Sequence, residues 1–253
     1  MFVFPVPTVP TVPTVPTVLF GLLAALANLI GAFAVARSAR GGLRVIEGFV
    51  AFSAGFMLSL AIVAAVPEAI ERHPAAAAPV VLLGYLLVHL SQHTITPHFH
   101  FGEETHRVSA EASTAALVGL LLHTFFDGVA IASGFMVSPT LGVLFFLAIA
   151  LHKVPEGVTV SSLVLAAGGT VRRSYLAAAA LGLATVLGVL ATGFVGELRE
   201  YGLALSAGVT LYVGASNLVP EFQAKPGWRL PLAFFAGAGL FVLAYWLLQR
   251  LVA

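Results

Sequence analysis

Residues Ala150–Val160 read ALHKVPEGVTV, placing a histidine, a lysine, a proline and a glutamate inside an apolar run that extends from about Thr140 to Ala167. A run of that length spans a bilayer as a helix. An ionisable residue near its centre costs about 2.5–3.5 kcal/mol on insertion scales, so such residues are kept for ion paths, relays or buried pairs. Whether this run crosses a membrane, and what it faces there, decides the fold.

Composition answers the first question. Of 253 residues, 59% are hydrophobic and 9% charged, and the mean hydropathy is +1.01. A soluble domain carries about 25% charged residues, so this chain lacks the side chains for a solvated shell. Eight apolar segments can be marked, at roughly 18–36, 45–66, 79–95, 113–136, 140–166, 174–195, 202–222 and 230–252. They predict an all-α, polytopic membrane protein with eight transmembrane helices in a single domain, 18–253. A net charge of +1 without a basic cluster excludes nucleic acid as a partner. The absence of cysteine excludes disulfides and thiolate metal sites. Residues 1–17, MFVFPVPTVPTVPTVPT, form a Pro-Thr-Val repeat that predicts a disordered leader.

Charge sets the expected direction. With the first segment starting outside, the inner loops hold Arg37, Arg40, Arg44, Arg107, Arg172, Arg173, Lys225 and Arg229, and the outer side holds Arg72, Arg199 and Arg250. The positive-inside rule then places both termini outside a cell (inner) membrane. Two internal similarities support an inverted 3+2+3 arrangement. Segment 2 ends with Val66-Pro67-Glu68 and segment 7 with Val219-Pro220-Glu221, in opposite directions of travel. Segments 4 and 5 carry LHTFFDGV (Leu122–Val129) and LHKVPEGV (Leu151–Val158).

In that second pair a carboxylate follows a histidine by four residues, which puts both side chains on one helical face. His123 and His152 lie at similar depth on an antiparallel hairpin. From helix rise alone, Asp127 is expected about one turn, ~6 Å, to one side and Glu156 a similar distance to the other. Imidazole with carboxylate suits divalent Zn²⁺, Fe²⁺ or Mn²⁺. Four such residues at matched spacing exceed what a polar clasp between helices requires.

The paired motifs resemble those of the ZIP (Zrt/Irt-like) family of divalent-metal transporters, whose fourth helix bears His-Asn-x-x-Asp/Glu-Gly and fifth His/Gln-x-x-Pro-Glu-Gly. HTFFDG and HKVPEG occupy those places, and segments 2 and 7 are also similar to the family's second and seventh helices. The resemblance implies Zn²⁺ as transported substrate, with Fe²⁺, Mn²⁺ and Cd²⁺ as further candidates. It implies a metal site of His123, Asp127, His152 and Glu156, and an elevator-like bundle of helices 1, 4, 5 and 6 moving against helices 2, 3, 7 and 8. A homodimer is compatible with it. Compared with prokaryotic-type members, this chain has Thr124, Lys153 and Thr185 where a second metal would be held, and Ser216-Asn217 where the seventh helix carries a His-Glu pair. Lys153 can therefore stand in for the second ion as a fixed cation.

Several residues carry weaker readings. His93, His98, His100 and His106, with Glu103 and Glu104, form a His-containing inner loop that is either solvated or captures metal. Met57 matches a family position on the outer route, and a lone methionine also serves packing. His89 and Asn28 read as bonders between helices, and Glu68 and Glu221 as interfacial residues at the two mouths. The expected function is inward transport of a divalent metal through one central site. Its rivals are a transport-dead metal sensor and an intramembrane metallohydrolase. The hydrolase would favour His-Glu-x-x-His, and Lys153 occupies the place of that glutamate.

The topology has a direct test, because the native chain has no cysteine. Single cysteines at Ser109 and Ser174 should react with an impermeant maleimide only from the cytoplasmic side, and one at Gly202 only from outside. Reaction of Ser109Cys from outside would overturn the orientation.

Overall fold

The computed structural model describes residues 15–37, 43–94 and 110–252. Among them the chain is helical, without strands. Helix α1 is Val15–Arg37. Helix α2 runs through Leu43–Ser59, a π-helical turn at Leu60–Ala65, and Val66–Arg72. Helices α3 to α6 are Ala77–Thr94, Ala110–Val137, Pro139–Ala166 and Val171–Phe194. Helix α7 comprises Gly196–Tyr212, a second π turn at Val213–Leu218, and Pro220–Gln223, and α8 is Arg229–Val252.

Each predicted segment lies within one of these helices, give or take a terminal residue. Among the described residues, seven helices are long and apolar enough to cross a bilayer, and the apolar part of α3, Ala77–Gln92, is shorter. Polar and apolar surfaces are arranged as lipid requires. Leu22, Leu26, Leu183, Leu187, Val242 and Leu243 face outward, while Asn28, His123, Asp127, His152, Lys153 and Glu156 are buried. Of the leader, Val15–Thr17 belong to α1, and residues 1–14 lie outside the described residues. His98, His100 and His106 lie outside them too, as does the side chain of His93.

The helices pack as two groups. One contains α1, α4, α5 and α6, and the other α2, α3, α7 and α8, with α4 against α7 and α2 against α5 between them. Small residues set the close crossings. A Cβ on Gly55 of α2 would strike the Phe234 carbonyl of α8, and one on Gly237 would strike that of Phe52. The same reciprocal contact joins α3 and α7: Gly84 abuts the Leu205 carbonyl and Gly208 that of Val81.

The first group repeats the device. Gly157 abuts Asn28 and Gly31 abuts Val154 where α1 meets α5. Gly128 abuts Thr185 and Gly188 abuts Phe125 where α4 meets α6. Exchanging α1 with α6, α2 with α7, α3 with α8 and α4 with α5 maps each crossing onto its mate. Both Val-Pro-Glu motifs follow directly on a six-residue π turn. The two halves thus share one backbone plan, run in opposite directions.

Of the three positions chosen from sequence for labelling, Ser109 lies outside the described residues and Ser174 and Gly202 are buried, so exposed Arg173 and Glu197 are the better positions. The crossings make their own prediction. Gly208→Leu should destabilise the detergent-purified protein by at least the ~1–3 kcal/mol of core overpacking, read as a lower melting temperature. Gly239→Ala, with nothing within 4 Å of the added carbon, should be neutral or slightly stabilising.

Candidate metal centre

The site is built on the α4–α5 hairpin. Its turn is tight because Val137 ends one helix and Pro139 begins the next. Ser138 caps α5, its hydroxyl accepting from Leu141 N at 3.1 Å, and Pro139 has no N–H to leave unsatisfied. With the hairpin so closed, His123 and His152 come level, their ring centroids 5.6 Å apart.

Three side chains meet there. Asp127 Oδ2 lies 3.4 Å from His123 Nε2 and 3.3 Å from His152 Nε2. His123, Asp127 and His152 each offer a ligand atom, all within 4.8 Å of one another and all buried. A tetrahedral Zn²⁺ with bonds of about 2.0 Å needs ligand atoms roughly 3.3 Å apart, so the carboxylate-to-imidazole spacings fit. His152 Nδ1 is 3.0 Å from the Ala148 carbonyl. A carbonyl oxygen only accepts, so Nδ1 carries a proton, and Nε2 is the nitrogen left to face Asp127 Oδ2, within hydrogen-bond distance. His123 Nδ1 has no hydrogen-bond partner among the described residues, so no neighbour dictates its tautomer.

A cation from the chain already lies beside them. Lys153, with 0% exposure, places Nζ 2.7 Å from Asp127 Oδ2, 2.7 Å from Glu156 Oε2 and 3.1 Å from Thr124 Oγ1. Those contacts use all three ammonium protons. Glu156 has two further donors besides Lys153. Its Oε1 accepts from the Thr124 hydroxyl at 2.6 Å. With its carboxamide assigned nitrogen toward the site, the orientation that the surrounding acceptors require, Asn28 of α1 donates to Glu156 Oε2 at 3.1 Å and to the Lys153 carbonyl at 2.7 Å. Glu156 Oε1 is 3.9 Å from His123 Nε2, the longest of the carboxylate-to-imidazole contacts.

The separation of the carboxylates expected from helix rise does not hold. Asp127 and Glu156 share one ammonium, so they converge at the level of the histidines instead of lying a turn to either side. The reason is the direction of the side chains. Each Cα–Cβ bond leans toward its helix's N-terminus, and in an antiparallel pair the two lean toward each other.

The remaining candidates fall elsewhere. The Thr185 hydroxyl donates to Leu181 O in its own helix at 3.3 Å. Met57 is buried in the main apolar cluster with Phe126, Val129 and Ala130. Ser216 shares a 3.0 Å hydrogen bond with Tyr85. Asn28 is the partner that sequence reading placed only between helices. Its sole sequence signal is an amide in the middle of an apolar span.

The cluster predicts the behaviour of the metal-free protein. Removing one member of a buried, hydrogen-bonded charge network costs about 3–5 kcal/mol, so Lys153→Met should lower the melting temperature in chelator. Adding Asp127→Asn and Glu156→Gln should recover most of the loss, because no carboxylate then remains uncompensated. An unchanged melting temperature in Lys153→Met would refute the network.

Comparison with known proteins gives the family. The family described as ZIP zinc transporter matches residues 98–244, more than half the chain and inclusive of both site helices. Human zinc transporter ZIP6 is 29% identical over 134 residues, covering 49% of this chain and 18% of its own. Zinc transporter ZIP9-A of Xenopus laevis is 29% identical over 153 residues, 55% of this chain and 50% of its own. Zinc transporter ZIP9 of Micropogonias undulatus is 31% identical over 154 residues, 55% and 49%. The chain thus matches half or less of the length of these relatives. A family of transporters rather than enzymes sets aside the metallohydrolase reading. On the family match and the paired His-carboxylate helices together, the chain belongs to the ZIP zinc transporter family.

Proposed function

We propose that this protein carries a divalent metal ion, Zn²⁺ foremost, into the cytoplasm through one central site on α4 and α5, with both termini outside the membrane. The observation that carries the reading is the buried convergence of His123 Nε2 and His152 Nε2 on Asp127 Oδ2, at 3.4 and 3.3 Å. Fe²⁺, Mn²⁺ and Cd²⁺ are further substrates by donor chemistry. Transfer needs only ligand exchange, with the α4–α5 unit shifting against α2 and α7. The relatives' names as zinc transporters support the choice of metal.

A single ion is the expected load. Thr124 and Lys153 stand where a second would sit, and Lys153 supplies its charge within the lattice of carboxylates. In proteoliposomes, Zn²⁺ uptake should fall by more than about tenfold in His123→Ala and in His152→Ala, with insertion retained. Calorimetry should find one Zn²⁺ per native chain, and Lys153→Asp with Thr124→Asn should raise that number toward two. Metal binding without flux would identify a sensor instead of a transporter. Two ions on the native chain would refute the single-site reading.

A further inference from the structure

The oxygen on which the two histidines converge is the oxygen that Lys153 holds. Asp127 Oδ2 is 3.4 and 3.3 Å from the imidazole nitrogens and 2.7 Å from Lys153 Nζ. An ion bound by His123, Asp127 and His152 would use that atom, so metal and ammonium compete for it. The ammonium has somewhere else to go: Glu156 Oε2 at 2.7 Å and Thr124 Oγ1 at 3.1 Å. Glu156 is itself tied down by Thr124 on Oε1 and by Asn28 on Oε2. A carboxylate with three donors on two oxygens is a poorer metal ligand than one whose free lone pairs face the ion.

On the reading that the three converging side chains hold the transported ion, we propose that Glu156 does not ligate it there but serves as the dock to which Lys153 retreats, with Thr124 and Asn28 as positioning residues for that dock. Lys153 is then a tethered competitor. Without metal it bridges both carboxylates and neutralises one of their two charges. With metal it gives up Asp127 and stays on Glu156 and Thr124. The dock lowers the cost of releasing Asp127, so Glu156 aids metal binding through the lysine and not through a bond to the ion.

This predicts a rescue that a direct ligand would not permit. The probe is Co²⁺, titrated into the purified full-length protein in detergent and followed by its visible d–d absorption. Glu156→Gln alone should weaken binding at least about tenfold, because the undocked ammonium stays on Asp127. Adding Lys153→Met should return the affinity to within about threefold of native, with the same absorption band, since the competitor is gone and the net charge of the site is again the native one. Asp127→Asn should weaken binding with or without Lys153→Met. Asn28→Ala, which loosens the dock but removes no candidate ligand, should weaken binding only while Lys153 is present. If Glu156→Gln/Lys153→Met binds as weakly as Glu156→Gln, Glu156 is a ligand and the dock is refuted, while the transport reading stands. If the native protein takes up no Co²⁺, the transport reading falls and the dock falls with it.

Discussion

One ammonium between two carboxylates organises this protein. Lys153 reaches Asp127 and Glu156 at 2.7 Å each, in a pocket where it has no exposed surface. At that depth neither carboxylate is cheap to keep charged, and removal of the lysine leaves both facing each other. The surrounding backbone is arranged to close around the triad. Gly128 and Gly157, each following a site carboxylate, let α6 and α1 approach until backbone meets backbone. From α1 comes Asn28, the amide that completes the shell of Glu156.

The inverted repeat explains why so small a chain can build such an enclosure. One pattern of glycine crossings, used twice in opposite directions, holds α2 to α8 and α3 to α7, and another holds α1 to α5 and α4 to α6. The π turns at Leu60–Ala65 and Val213–Leu218 sit at matching places in α2 and α7. Each ends just before a proline, whose missing N–H a widened turn accommodates. The backbone of the site follows the same symmetry, with His123 matching His152 and Asp127 matching Glu156. Symmetry fails at Thr124 and Lys153, which occupy equivalent positions. That break gives the site its charge balance and makes its two carboxylates unequal: one faces two imidazoles, the other mostly hydrogen-bond donors.

Much of this was legible in the residues. Eight apolar stretches and the two Val-Pro-Glu motifs carry the architecture, because in lipid a backbone without a helix has nowhere to place its hydrogen bonds. The four-residue spacing of His123 with Asp127 and of His152 with Glu156 carries the site. The convergence of Asp127 with Glu156 was not legible in helix rise, which counts position along an axis and ignores the lean of each side chain toward its N-terminus. Thr185 stands in the sequence where a second-site ligand is lost, and its hydroxyl turns back to its own helix, a direction that spacing cannot reveal.

The sequence by itself therefore determined the membrane class, the helical segments and which ionisable residues lie within them, since hydropathy and helical period are local properties written along the chain. The tertiary structure alone decided which atoms meet. It put Lys153 on the same Asp127 oxygen that the histidines address, brought Asn28 from a distant helix to Glu156, and left Met57 in the apolar core. Those outcomes depend on how helices far apart in the chain cross and how closely their glycines let them approach. No periodicity within a single helix encodes that distance.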